Sequence, residues 1–108
     1  VNRPWPVANL FPEAPSKRRL FPSPGHGPNG GIWPFVGGLW VQMIQRLGFK
    51  NAARLELTHL AGVNRLGRKQ EWEFSEWVHG KSSQPMGKPF HACAAATFIH
   101  AFHIIGEV

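Results

Sequence analysis

FVGGLWVQMIQRLG, from Phe35 to Gly48, decides how the rest of the chain is read. Pro34 opens it and Gly48 closes it, the usual asymmetry of a helix start and stop. Its apolar residues are Phe35, Val36, Leu39, Trp40, Val41, Met43, Ile44 and Leu47. At 3.6 residues per turn they go almost all round the axis, so the helix is expected to be enclosed on every side.

Two further helices follow. Asn51 is placed to cap one from about Ala52 to Asn64, which is amphipathic, with Arg54, Glu56, His59 and Arg65 available to face water. The other runs from about Phe90 to Ile105 and, like the first, is apolar all round: Ala92 to Ala96, Phe98, Ile99, Ala101, Phe102, Ile104 and Ile105. A small three-helix bundle does not need two helices apolar on all sides. A double-layered toroid does, with enclosed inner helices and half-wet outer ones. The expected fold is therefore all-α, three helices of a larger ring, with the long loop from Arg65 to Pro89 at one rim.

Upstream the texture changes. Eight of the ten prolines fall within the first 34 residues, which excludes regular helix or central strand there. Trp5, Leu10, Phe11, Leu20 and Phe21 are too apolar for a free linker. Residues 1–33 are expected to be an extended Pro/Gly-rich arm and site loop, and residues 34–108 the helical part of an incomplete domain. With Val at position 1, the chain reads as a piece of a longer protein or a trimmed product.

The rim loop holds EWEFSEWVHG, Glu71 to Gly80, in which three of the six glutamates alternate with aromatics. Read as extended, Glu71, Glu73, Ser75 and Trp77 share one face and Trp72, Phe74 and Glu76 the other. Glu76 then lies in line with two large aromatics, where burial would be costly without a purpose and would tune the acid for proton transfer. The plainer alternative is an edge ion pair with a nearby Lys or Arg. Trp33, Trp72 and Trp77 lie in or beside loops, where an indole can stack on a pyranose or serve as an ordinary core anchor.

Other chemistry is not expected. His100 and His103 stand three apart with Cys93 before them, which matches no zinc spacing, so no metal or cofactor is expected and Cys93 reads as a small buried apolar residue. The segment GHGPNGG lacks the Lys-Ser/Thr ending of a phosphate loop. Twelve Lys and Arg against six Glu, with no Asp, give a formal charge of +6. The positives are scattered apart from Lys17 to Arg19 and Arg65 to Lys69, so a nucleic-acid partner is not expected. No apolar run reaches the ~18 residues of a membrane span, and the N-terminus lacks a secretory core. No membrane association and a cytoplasmic location are expected.

NGGIWPFVGGLWVQMIQRLG together with WEFSEWVHGKSSQPMG resembles the C-terminal part of bacterial glycogen-debranching (amylo-α-1,6-glucosidase-like) proteins and their relatives in glycoside hydrolase family 63, over roughly Pro24 to Ile105. The resemblance implies an (α/α)6 toroid and an inverting hydrolase acting on α-glucosidic bonds. It implies that Glu76, in Phe74-Ser75-Glu76-Trp77 followed by Pro85-Met86-Gly87, is the general base, which leaves Glu71 and Glu73, on the opposite face, as rim charges. Asn29, Gly31, Ile32, Trp33 and Pro34 match the segment entering an inner helix at the sugar site, which puts Asn29 and Trp33 among the substrate contacts, with Trp72 and Trp77 as further aromatic contacts. The family's last helix begins around a Trp; FHACAAA has His91, Cys93 and Ala94 there. The family's general acid is an Asp, absent here, so the partners implied are an α-glucoside and the missing upstream part of the catalytic domain. A non-catalytic carbohydrate-binding or interaction fragment is the competing expectation.

Overall fold

The computed structural model describes residues 30–106; the arm over residues 1–29, Asn29 included, lies outside them. The elements are α1 (Pro34–Arg46), α2 (Lys50–Arg65), β1 (Trp77–Val78), β2 (Pro85–Met86) and α3 (Ala92–Gly106). The architecture is mostly helical, as the sequence leads one to expect. No helix among the described residues is long and apolar enough to cross a membrane.

α1 begins at Pro34, whose missing N–H is no loss in the first turn. It ends in a Schellman motif: Gly48 takes φ +94°, its N–H donates to the Gln45 carbonyl, and the Phe49 N–H donates to that of Ile44. The chain enters α2 at once, with Phe49 at the N-cap and the Ala53 N–H on its carbonyl at 2.9 Å. The cap expected of Asn51 is not formed. The turn is so short that Asn51 already lies inside the helix, exposed. α3 starts two residues later than expected, because Phe90 has φ +54° and the N–H of His91 is committed to the Phe74 carbonyl.

All three helix pairs touch, α1 and α3 most extensively. Their approach depends on Gly38. A Cβ there would run into the Oγ1, Cβ and backbone carbon of Thr97. Across the same contact the Gln42 side-chain amide donates to the Thr97 carbonyl at 3.1 Å. The core consists of Val41, Ile44, Ala53, Leu60 and Ala101, backed by Trp40, Leu57, Phe98 and Ile105. Burying residues such as Val41 and Leu60 contributes about 1.5–3 kcal/mol apiece.

The expectation that α1 and α3 are enclosed is not met. Val36, Leu39, Met43 and Leu47, spaced three, four and four along one stripe of α1, are 42–64% exposed, as are Ile99 and Phe102 of α3 at 52% and 61%. Three helices give α1 two neighbours, which cover one side of it only. A second departure is that the rim loop contains structure: β1 and β2 pair antiparallel, Trp77 with Met86 and Val78 with Pro85, and Ile32 bridges to Val78 on the other side. Both backbone groups of Val78 go to Ile32 at 2.8 Å, so Pro85, which has no N–H, fits opposite it without leaving Val78 unpaired. Ile32 and Val78 pack on Val63 of α2, which seats the small sheet on the helices.

Candidate active site

Residues 64–91 are stitched between the end of α2 and the start of α3 by backbone bonds. The N–H groups of Trp72 and Phe74 donate to the carbonyls of Arg65 and Asn64, and those of Phe90 and His91 donate to the carbonyls of Glu73 and Phe74. This crosswise stitching requires left-handed backbone at Trp72 (φ 62°), Phe74 (φ 48°) and Phe90 (φ 54°), conformations that bulky residues adopt only where their surroundings enforce them.

The extended strand expected of residues 71–77 is therefore not present. Burial does alternate, but with the faces exchanged: Glu73, Ser75 and Trp77 are buried, while Trp72 is exposed and Phe74 and Glu76 are half-buried. The amides within this segment face α2 and α3, not a neighbouring strand, and this carries Glu73 inward.

The three glutamates separate cleanly. Glu71 is a rim charge, as expected, its Oε1 2.9 Å from the Arg65 guanidinium with both side chains mostly exposed. The hydrogen bond and charge of Arg65 hold its carboxyl below the ordinary range. Glu73, expected at the rim, is 3% exposed. Its Oε2 accepts the N–H groups of Lys69 (2.9 Å) and Gln70 (3.0 Å). Those two bonds hold its carboxyl low against the opposing effect of burial, with Arg68 assisting. A buried carboxylate capping a turn is a structural anchor. Its nearness in sequence to Glu76 gave no sign of this.

Glu76 is held on one side only. Its N–H donates to the Lys88 carbonyl at 2.9 Å, and its Oε1 accepts the Lys88 N–H at 3.2 Å. Among the described residues Oε2 meets no hydrogen-bond partner and Glu76 forms no edge ion pair with Lys or Arg. Gly87 makes this possible: at φ +70°, a Cβ on it would lie 2.5 Å from Glu76 Oε1 and 2.8 Å from Trp77 Cδ1. Arg68 reaches the same turn from across the loop, donating to the carbonyls of Pro85 and Gly87. Arg68 and Lys88 were not singled out by sequence reasoning, and Gly87 was named only as the Gly of the Pro85-Met86-Gly87 run.

The aromatic candidates divide into two groups. Trp33 and Trp77 stack nearly parallel, centroids 5.9 Å apart and planes at 18°. Trp77 is buried, turning its ring to Trp33 and away from solvent, while Trp33 is half-buried. This pair flanks Glu76 through the Trp77–Gly87 approach. Trp72 belongs elsewhere, in a cluster with Phe74 (5.8 Å) and Phe98 (6.1 Å), and is 42% exposed. Cys93, expected to be buried, is exposed near the start of α3, because α3 turns its small residues Ala94 and Ala101 to the core. Among the described residues no group of three or more His, Cys, Asp or Glu could hold a metal ion. Comparison with protein-family models, curated proteins and solved structures finds no match for the chain.

Proposed function

We propose that this chain is the base-carrying part of an inverting glycoside hydrolase that acts on α-glucosidic bonds, with Glu76 as the general base and a partner polypeptide supplying the acid. The observation that carries the reading is the division among the glutamates. Glu71 is committed to Arg65 and the buried Glu73 to two backbone amides. Glu76 has one oxygen fixed by Lys88 and the other without a partner among the described residues, and Trp77, stacked on Trp33, adjoins the same Gly87 turn. A general base needs that arrangement: one oxygen to fix its orientation, one to take the proton of a water. Two carboxyl groups roughly 6.5–9.5 Å apart are required for inversion. With no Asp in the chain and Glu71 and Glu73 otherwise engaged, this reading takes the second carboxyl from outside it. In the proposed architecture the exposed stripe of α1 is an inner-helix face of an (α/α)6 toroid.

The absence of Asp also favours a second reading, a non-catalytic carbohydrate-binding fragment built on the same Trp33, Trp77 and Glu76. Both readings predict that maltose shifts the amide resonances of Trp33, Gly87 and Lys88, and that aryl α-glucosides are not hydrolysed above background. Absence of those shifts overturns both. The readings part when a polypeptide that supplies the acid is restored. A base role requires Glu76→Gln to lower turnover by about 10²–10⁴ with maltose affinity little changed; no turnover in the restored protein leaves the binding fragment.

A further inference from the structure

The turn that carries the hydrogen-bond donor of Glu76 has little core of its own. Pro85 and Met86 are half-buried, and Gly87 and Lys88 are exposed. Arg68 pins it. The guanidinium Nε and Nη2 donate to the Pro85 carbonyl at 3.1 and 3.0 Å, and Nη2 also reaches the Gly87 carbonyl at 3.4 Å. Arg68 stands in a loop whose next two amides, Lys69 and Gln70, are bound by the buried Glu73 carboxylate. A continuous set of contacts thus runs from Glu73 through backbone amides, a guanidinium fork and two carbonyls to the Lys88 N–H and Glu76 Oε1. There is no slack at its far end, since Gly87 and Glu76 are already too close for a methyl group.

We propose that Arg68 is a positioning residue that holds the Glu76 carboxylate in place through the turn at residues 85–88, with Glu73 anchoring the loop that presents Arg68. Its consequence for activity rests on the reading of Glu76 given above; its geometry does not. Hydrogen bonds from a charged donor are the stronger kind. A planar fork can hold the carbonyls of Pro85 and Gly87 at once, which the point charge of lysine does not reproduce.

The test uses the 108-residue chain, isotopically labelled, as wild type, Arg68→Ala and Arg68→Lys. Two signals are followed: hydrogen exchange at the Lys88 amide, and the pH dependence of its resonance, which reports its bond to the Glu76 carboxylate. In Arg68→Ala the Lys88 amide exchanges roughly tenfold faster or more, as the loss of a charged hydrogen bond implies. The pH-dependent shift falls by half or more, while the amides of α1 stay protected. Arg68→Lys lies between and keeps the fold if Arg68→Ala does not. An unchanged exchange rate and an unchanged pH response in the folded variants overturn the proposal and leave Arg68 a surface tether. Maltose titrations of the same samples keep the two ideas apart. Wild type that ignores maltose sinks the carbohydrate reading alone; wild type that binds it, with affinity and Lys88 signals unmoved by Arg68→Ala, sinks the positioning role alone.

Discussion

Gly38 and Thr97 bring α1 and α3 together with side chains reduced to almost nothing, whereas Glu73 and Arg68 hold residues 67–88 together with long polar side chains that reach for backbone. The helical contact is close-packed, so its geometry follows from atomic volume. The rim segment has few apolar residues to pack, and its geometry follows from donors and acceptors. The two regions should therefore fail differently. Added volume should break the first, and a lost acceptor or a change of pH should break the second.

The largest effect is expected at the helical contact. Gly38→Val drives a branched side chain into Thr97, and α1 cannot retreat without giving up Val41 and Ile44 in the core. Overpacking costs about 1–3 kcal/mol, and this substitution is expected at the top of that range in urea unfolding. Gly62→Ala is the control, because no heavy atom lies within 4 Å of the added Cβ. It should stabilise α2 by up to about 1 kcal/mol through helix propensity. Equal effects at both positions would break the comparison, since the α1–α3 contact would then not depend on close approach.

A smaller effect, and one that depends on pH, is expected at Glu73. Its folded-state carboxyl titrates lower than an ordinary glutamate because Lys69 and Gln70 donate to the charged form. A group lowered on folding contributes stability that is complete above its unfolded value, about 4.3. That contribution fades as pH falls through the folded value. Glu73→Gln keeps an acceptor and loses the charge, so its melting midpoint should lie below wild type at neutral pH. The gap should close on acidification below about pH 4. A gap that stays constant down to pH 2 would mean that Glu73 acts by shape and not by charge.

How much of this the sequence disclosed follows the same division. The three helices are legible within a residue or two at most ends, because apolar periodicity, Pro34 and Gly48 act locally. The cap at Asn51 was misjudged because the Schellman turn carries the chain into α2 two residues sooner. The rim was misjudged because alternation assumes a regular strand. The amides of Trp72 and Phe74 instead bond to the end of α2, and left-handed residues exchange which face is buried. Glu76 is proposed from its motif. Its fixed oxygen, the stacked Trp33–Trp77 pair and the Arg68 fork all depend on contacts between residues far apart in sequence. No local pattern encodes those contacts.

The smallest effect is expected at Glu71, and it gives the sharpest reading of the rim. Glu71 and Glu73 are two residues apart and both accept hydrogen bonds near 2.9 Å, so a distance criterion would rank them alike. What differs is the solvent. The Arg65–Glu71 pair is mostly exposed on both sides, and such pairs lose in side-chain freedom and screening most of what they gain in attraction. Glu71→Gln should therefore leave the melting midpoint unchanged within error at physiological ionic strength. Any difference seen at very low salt should vanish by about 0.15 M, where charges are screened beyond roughly 8 Å. The deficit of Glu73→Gln should persist at that salt, because the Glu73 carboxylate itself is buried. If the two variants respond to salt in the same way, burial is not what separates the anchor from the rim charge, and the hydrogen-bonded route from Glu73 to Glu76 loses its first link.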